Sequence, residues 1–231
     1  MKHKKLTITA AALLTAFTAQ VQAGFYDWQG GTSSDWSDNS NWQGGNGVGA
    51  ADTARIYNTG VTLAPASVLS GSASVTRVWL GNQSAPESGA LTVQSGATLS
   101  TSGDFIVSQN STLASSGAIS VGNGNGMIVR DSGNVTLNSG ATLNKLTLSE
   151  DSTATLNAGS NVNTIQNLAN SSQLTMNNSY SGNLFMQNTS SLTVNGTFNG
   201  NFGINSTAMQ YVGENGTVNG DIELNGSDQM T

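Results

Sequence analysis

Apolar residues recur in pairs, separated by one polar or small residue, along the last two thirds of the chain. Residues at positions i and i+2 lie on the same face of a β-strand, so each pair predicts a short strand with one buried face. Successive members of the first series lie 22, 19, 19, 19, 18 and 20 residues apart. This series comprises Phe105/Val107, Met127/Val129, Leu146/Leu148, the looser Ile165, Leu184/Met186, Phe202/Ile204 and Ile222/Leu224. A second, interleaved series comprises Val135/Leu137, Ala154/Leu156, Leu174/Met176 and Leu192/Val194.

A period near 20 residues, with Gly, Asn and Ser between short strands, is typical of a stacked solenoid. A direct repeat agrees, because Gly89–Leu99 matches Gly133–Leu143 at an offset of 44 residues, or two rungs of 22. We therefore expect an all-β fold, a single-stranded β-solenoid (parallel β-helix) with an aromatic N-terminal cap. Its rungs would be spaced by about 4.8 Å. Gly and Asn would take the corners, and like residues such as Asn would stack as ladders.

The first 23 residues have the features of a secretory signal peptide rather than of a folded element. Lys2, Lys4 and Lys5 precede a short apolar stretch, and Val21-Gln22-Ala23 fits a signal-peptidase site. We therefore assign residues 1–23 to a signal peptide and expect cleavage before Gly24. The apolar stretch is too short for a membrane span, and no later stretch is long enough.

Charge and cysteine content narrow the function further. Four basic residues and all thirteen acidic residues remain after residue 23, so the net charge becomes 4 − 13 = −9. An acidic chain with four scattered cations has no electrostatic footprint for nucleic acid. Neither His nor Cys remains in that part of the chain, which excludes nucleophile–histidine catalysis and structural zinc. We expect no cofactor.

Residues 24–64 form an aromatic, glycine-rich segment that we expect to close the first rung of an array spanning residues 65–231. Trp28, Trp36 and Trp42 concentrate there. Three rings at the end of a solenoid would cover an otherwise wet apolar face, but they could instead form a platform on which a carbohydrate stacks. Near the C-terminus Asn225–Thr231 looks like the opening of a further rung, which predicts an uncapped end and end-to-end self-association.

The only charge cluster of the array contains the carboxylates that could carry chemistry. Asp131 and Glu150 are nineteen residues apart, one rung, and each precedes an equivalent strand, so they should stack at about 5 Å. Together with Asp151 they are candidates for a weak Ca²⁺ site. Paired carboxylates could also hydrolyse a glycosidic bond, since a retaining pair lies about 5 Å apart. The simplest interpretation is that all three are solvated turn residues.

Two glycine-rich segments are interpreted as loops. Gly44–Asp52 resembles a calcium-binding nonapeptide repeat, but that motif works in tandem copies and occurs once here. Gly122–Gly126 is not followed by a helix, so it does not predict a phosphate site.

The segment Trp28-Gln29-Gly30 through Asn41-Trp42, followed by Asp52-Thr53-Ala54-Arg55-Ile56 and by Gly-x-Leu-Thr-Val rungs, resembles the opening of bacterial autotransporter passengers and related surface proteins. The order of these elements matches over most of the chain after residue 23. The resemblance implies an exported β-helix displayed at the cell surface, commonly followed by a membrane-embedded β-barrel.

Three functions remain open at this point. The leading prediction is a non-enzymatic β-helix exported to the cell surface or beyond, or held in the periplasm if no translocator follows. There it would act in adhesion or as a surface or matrix component, with glycans or other surface proteins as partners. The alternative is a polysaccharide-active β-helix enzyme, a lyase or glycosidase using Asp131 and Glu150, since β-helices of the pectin-degrading type resemble this architecture. The third is a fragment without independent function.

Overall fold

The computed structural model describes residues 23–31, 33–57, 66–124, 126–206 and 208–225. The predicted signal peptide up to residue 22, the predicted boundary at 64/65 and the predicted rung opening after Asn225 lie outside these residues. The first strands are β1 (Phe25–Asp27), β2 (Thr53–Ile56), β3 (Ser67–Leu69), β4 (Ser72–Val75), β5 (Arg77–Leu80), β6 (Ala90–Val93), β7 (Thr98–Thr101), β8 (Phe105–Val107) and β9 (Thr112–Ser115).

The strands continue along the chain with the same short lengths. They are β10 (Ala118–Val121), β11 (Met127–Val129), β12 (Asn134–Leu137), β13 (Thr142–Leu143), β14 (Leu146–Leu148), β15 (Thr153–Leu156), β16 (Asn161–Val162), β17 (Ile165–Leu168) and β18 (Gln173–Met176). The last are β19 (Ser179–Ser181), β20 (Leu184–Asn188), β21 (Ser191–Val194), β22 (Thr197–Asn199), β23 (Phe202–Ser206), β24 (Met209–Val212), β25 (Thr217–Asn219) and β26 (Ile222–Asn225). The helical elements of the described residues are two short 3₁₀ turns, Asn39–Asn41 and Gln43–Gly45.

From β2 onward the chain coils so that every third strand joins the same sheet, which confirms the predicted parallel β-solenoid. Sheet 1 runs in the order β1-β2-β5-β8-β11-β14-β17-β20-β23-β26. Sheet 2 contains eight strands in the order β3-β6-β9-β12-β15-β18-β21-β24. Sheet 3 is divided into β4-β7-β10-β13-β16 and β19-β22-β25. All strand pairs are parallel, and about eight turns are stacked.

The strand register agrees with the apolar pairs read from the sequence. Met127 pairs with Phe105 on one side and with Leu146 on the other. The departure of Ile165 from the pattern of apolar pairs has a physical reason. The register shifts between Leu146 and Thr147, so that one extra residue bulges from β17. The direct repeat is also explained, because β6 and β12 both pair with β9.

The core is one continuous column of apolar side chains inside the coil. Sheets 1 and 2 supply two inward residues per strand in most rungs, as the alternating burial of β11 and β14 in sheet 1 and of β12 and β15 in sheet 2 shows. Sheet 3 supplies fewer, because β19 and β22 each bury a single aromatic ring, Tyr180 and Phe198. The rings of Phe198 and Phe202 stack at 4.0 Å between centroids.

One seam interrupts the stack between β16 and β19, where sheet 3 divides. In the neighbouring rungs the first amide of each sheet 1 strand donates to the carbonyl just before the next one, as in Leu146 N to Thr164 O at 2.9 Å. At the seam Ile165 N donates instead to the hydroxyl of Tyr180, at 3.0 Å. A buried side chain thus replaces a backbone acceptor where the β17 bulge breaks the register.

At the N-terminal end, an irregular segment carries the three predicted tryptophans onto the first rung. Trp36 N donates to Val68 O at 2.9 Å, which attaches the segment to the edge strand of sheet 2. Trp28 and Trp42 form an isolated antiparallel bridge. Strands β1 and β2 lie before residue 65 and already belong to sheet 1. Among the described residues, no helix is long and apolar enough to cross a membrane.

Candidate functional site

Asp131 and Glu150 lie at the corner between sheets 1 and 2, hereafter the acid corner, and the fold brings them together. Val129 pairs with Leu148, so each carboxylate lies two residues beyond a paired strand position. Both backbones adopt the left-handed conformation, with φ of 48° and 56°. Glu150 Oε2 accepts a hydrogen bond from Asp131 N at 3.1 Å. The expected stacking of these two residues across one rung is therefore confirmed.

The electrostatics of this pair follow from the contact between two like charges. The pKa of Glu150 is raised above its ordinary value, first by a hydrogen bond to the Asp131 side chain, then by partial burial and by repulsion from Asp131. The amide of Asp131 and the charge of Arg130 act in the opposite direction. Arg130 Nε lies 3.4 Å from Asp131 Oδ2. Its terminal nitrogen also donates to Gln83 Oε1 at 2.7 Å.

The other members of the sequence cluster lie apart from this pair. Asp151 is exposed on the next residue of the corner. Lys145 lies at the opposite end of the sheet 1 strands from Asp131 and Glu150, just before β14. Its ammonium donates a hydrogen bond to the Gly124 carbonyl. Within the described ranges, no group of three or more His, Asp or Glu side chains is arranged to hold a metal ion. Asp131 and Glu150 thus meet as a pair, without Asp151 as a third ligand.

The acid corner continues with amides in place of acids. The equivalent residues in the next two rungs are Asn170 and Asn188, which keep the left-handed backbone at φ of 56° and 58°. Asn188 Nδ2 donates to Asn170 Oδ1 at 2.9 Å. Inside this corner a column of serines is fully buried, and within the described part of the chain three of their hydroxyls have no hydrogen-bond partner: Ser152, Ser172 and Ser190.

The corner between sheets 2 and 3, hereafter the amide corner, carries a uniform ladder of four asparagines. Asn157 donates to Asn138 at 3.0 Å, Asn177 to Asn157 at 3.2 Å, and Asn195 to Asn177 at 2.9 Å. Each link joins Nδ2 of one amide to Oδ1 of the amide in the preceding rung. The expected stacking of asparagines is confirmed here.

The three predicted tryptophans are packed on one another instead of facing solvent. Trp28, Trp36 and Trp42 are only 3 %, 5 % and 1 % exposed. The rings of Trp28 and Trp36 each meet Trp42 edge to face, at centroid distances of 5.0 and 4.9 Å. Trp42 Nε1 donates to Trp36 O at 2.8 Å. This packing is that of a lid, and a sugar could stack on these rings only if the lid opened.

A second aromatic group, not identified from the sequence, lies on the outer face of sheet 1. Phe25 is 54 % exposed and contacts Trp79 at 5.9 Å between centroids. The Arg55 guanidinium lies 4.9 Å from the centre of the Phe25 ring and forms a two-point ion pair with Asp27 at 2.5 and 2.9 Å. The outward position of Trp79 in Arg77-Val78-Trp79-Leu80 was the available signal, because its neighbours Val78 and Leu80 face the core.

The two glycine-rich segments behave as loops. Between β10 and β11, the described residues Gly122–Gly124 and Gly126 belong to no helix or strand. Gly44–Asp52 ends in a carboxylate that is only 4 % exposed. Asp52 Oδ1 accepts from Gly24 N and Oδ2 from Gly49 N, both at 2.8 Å, so backbone amides occupy both oxygens.

Comparisons with known proteins add no identity to this geometry. No protein-family model matches the chain. No curated protein and no solved structure matches it either.

Proposed function

We propose that this chain is an exported, non-enzymatic β-helix that acts at the cell surface in adhesion or as a structural component, in the manner of an autotransporter passenger. The observation that carries the proposal is the ladder of four asparagines on one edge of a disulfide-free coil. Such a ladder rigidifies the rod and presents amides at a repeat of about 4.8 Å. A regular row of neutral polar groups suits weak, multivalent contact with glycans or with other surface proteins.

The geometry of the acid corner favours a structural role over catalysis. A retaining glycosidase keeps its two carboxyl groups about 5 Å apart, because the substrate must lie between them. Asp131 and Glu150 are engaged with each other instead, because Glu150 Oε2 accepts a hydrogen bond from the backbone amide of Asp131 at 3.1 Å. A carboxylate held against the backbone of its partner does not face it across a gap that a sugar could enter, which supports the non-enzymatic proposal.

The first test compares monovalent and multivalent binding. We would couple the chain from Gly24 to Thr231 to beads at high density and measure retention on a panel of immobilised polysaccharides and on intact cells. We expect retention of the beads but not of the free protein, with little loss between 50 and 300 mM salt, because so few charges are available. Absence of retention on every surface would contradict the adhesive role.

The second test separates this proposal from the enzyme alternative. The same polysaccharides are incubated with the protein, and new reducing ends and unsaturated products are measured. We expect no cleavage. Cleavage that is lost in both Asp131→Asn and Glu150→Gln, and retained in the exposed control Asp151→Asn, would establish the enzyme alternative instead.

A third test concerns location. Protease added to intact cells should degrade the chain if it is displayed, while a periplasmic marker stays intact. Protection of the chain from protease in intact cells, with degradation after the outer envelope is opened, would contradict surface display.

A further inference from the structure

Asp52 is a buried carboxylate at the start of the coil, and it has a special relation to Gly24. Its side chain accepts hydrogen bonds from two backbone amides, Gly24 N and Gly49 N. The three ion pairs found among the described residues involve Asp27, Asp104 and Asp131, and none involves Asp52. Its negative charge is therefore held by amide dipoles alone.

Such an arrangement is costly without a cation. Taking a carboxylate out of water carries a penalty of several kcal/mol, which hydrogen bonds offset only in part. Buried charges in proteins are normally paired for this reason. The described cations that could pair with Asp52 are engaged elsewhere, Arg55 with Asp27 and Arg77 with Asp104. A positive charge next to Asp52 could come from a new N-terminus at Gly24.

We propose that removal of the leader before Gly24 creates that charge, so that the new α-ammonium group of Gly24 pairs with the buried carboxylate of Asp52 and locks the cap onto the first rung. The inference rests on the proposed export, in which a signal peptidase cuts after Val21-Gln22-Ala23. The cut is a hydrolysis in which the bond between the Ala23 carbonyl carbon and Gly24 N breaks. Water supplies hydroxide to the carbonyl and a proton to the nitrogen, and the amine takes a second proton from solvent at neutral pH.

The position of Gly24 suits this change. Its nitrogen already lies 2.8 Å from Asp52 Oδ1, so the ammonium forms in contact with its partner. Gly24 O accepts from Thr53 N at 2.9 Å, which holds the residue in line with β1. Ala23 is exposed, so its removal takes away no contact with the core. A hydrogen bond in which only the acceptor is charged thereby becomes an ion pair in which both partners are charged.

The backbone around Asp52 connects this pair to the cap and to the coil. Asp52 O accepts from Thr76 N at 2.7 Å, just before β5. Its side chain holds Gly49 in the loop that follows the tryptophan segment. Strand β1, which begins one residue after Gly24, leads directly to Trp28, whose amide donates to Arg55 O at 2.8 Å. An ion pair at Asp52 would therefore fix the cap segment at both of its ends.

The test uses two chains that differ by one residue. One begins at Gly24 and the other at Ala23, each released from a fusion by a protease that leaves the stated residue first. Both are acylated at pH 7 with limiting amine reagent, and the modified sites are quantified by mass spectrometry. Lys145 carries the only other amine after residue 23, so it serves as an internal reference in every sample. Only the neutral amine is acylated, so an ion pair slows the reaction.

We expect the α-amine of the Gly24 chain to react about tenfold more slowly, relative to Lys145, than that of the Ala23 chain, since one unit of pKa corresponds to a tenfold change in neutral amine. Asp52→Asn should abolish the difference, whereas Asp151→Asn should leave it unchanged. The cap, followed by tryptophan fluorescence, should melt about 5 °C higher in the Gly24 chain than in the Ala23 chain. This second comparison retains Asp52, so it does not depend on whether Asp52→Asn folds.

The outcomes separate the two proposals. Equal acylation and equal melting of the Gly24 and Ala23 chains would overturn the ion pair, even if the cell exports the protein. Sequencing of the N-terminus of the exported protein tests the processing step by itself. A terminus at another residue would overturn cleavage before Gly24, while slow acylation of the purified Gly24 chain would still show that Asp52 binds an ammonium group placed there.

Discussion

The acid corner and the amide corner belong to the same coil, yet the polar residues stacked at them form different hydrogen bonds. At the amide corner, Asn138, Asn157, Asn177 and Asn195 donate and accept in a single direction. At the acid corner, two carboxylates are followed by two amides, and the pKa of Glu150 is raised by its neighbour. An amide carries both a donor and an acceptor, so identical amides can satisfy each other indefinitely. A carboxylate carries only acceptors unless it binds a proton.

The inner positions of the two corners differ as well. The acid corner buries hydroxyls that lack partners at Ser152, Ser172 and Ser190 in the part of the chain that is described. The amide corner buries Ser160, whose hydroxyl donates to Asn157 O at 2.7 Å. The difference between the corners shows that stacking repeats the energetic effect of each corner residue in every rung. A residue that hydrogen-bonds to its own copy in the next rung stabilises the coil each time it recurs, whereas a buried polar residue without a partner destabilises the coil each time.

The largest change in stability is expected when a methyl group is added to a buried glycine of the acid corner. Gly133 lies in the serine column, but a Cβ there would collide with the carbonyl of Val107. We expect Gly133→Ala to lower the free energy of unfolding by about 2 kcal/mol or more, as overpacking does. Chemical denaturation measures it. The matched control is Gly124→Ala, where no heavy atom lies within 4 Å of the added carbon. Equal stability of the two variants would contradict the contact.

The next largest change in stability is expected when a carboxylate is introduced into the amide corner, which then resembles the acid corner. In Asn157→Asp the new carboxylate can still accept from Asn177 but can no longer donate to Asn138. We expect a loss of about 1 kcal/mol at pH 7, the value of one hydrogen bond. The loss should shrink below about pH 4, where the carboxyl group regains a proton. Denaturation at both pH values tests this, with Asn161→Asp, on an exposed residue outside the ladder, as the control. A loss independent of pH would exclude the proposed cause.

A smaller effect, of opposite sign, is expected in the serine column. Ser172→Ala removes a buried hydroxyl that has no partner, so we expect the protein to gain up to about 1 kcal/mol of stability. Ser160→Ala is the matched control, since that hydroxyl is bonded and its loss should destabilise. Thermal and denaturant midpoints of the pair report the difference. A destabilised Ser172→Ala variant would show that its hydroxyl is satisfied.

The smallest effect concerns the acid pair itself. Because the folded-state pKa of Glu150 is raised, the folded state binds the proton more tightly than the unfolded chain does. The stabilising contribution of the protonated carboxyl is therefore present at low pH and lost as the pH rises through the raised pKa. Glu150→Gln should gain a few tenths of a kcal/mol at pH 7, a value reduced by solvent screening. The gain should vanish in acid. Glu214→Gln, exposed and away from the pair, is the control.

Much of this architecture could be predicted from apolar spacing, but most strands of sheet 3 could not. Sheets 1 and 2 bury residues at i and i+2, so Val135/Leu137 and Leu146/Leu148 stand out as pairs. Strand β19, Ser179-Tyr180-Ser181, buries one ring between two exposed serines, which leaves no alternation to detect. Within sheet 3 β10 does bury an apolar pair, Ile119 and Val121, but β13, β19 and β22 each bury a single large residue, and a single residue carries no period.

The candidate site shows the same limit. The stacking of Asp131 on Glu150 followed from the rung length, because parallel strands in register carry equivalent corner residues with them. The contact of Asp52 with Gly24 did not follow, since it joins residues twenty-eight positions apart through an irregular segment. The contact between Trp79 and Phe25 was likewise missed. The sequence indicates that the Trp79 ring points away from the core, but it does not indicate which side chain packs against that ring.

The seam at Tyr180 has a mechanical consequence. A coil held by continuous backbone ladders resists tension evenly along its length, so it has no preferred place to part. Here the first link of the sheet 1 ladder is made by a phenol hydroxyl, backbone pairing resumes at Leu168 and Met186, and sheet 3 divides between β16 and β19. When the coil is pulled from its C-terminal end by optical tweezers, we expect the turns after β17 to release together and unravelling then to pause. If the rod acts in adhesion as proposed, such a step would dissipate load before the aromatic lid is reached.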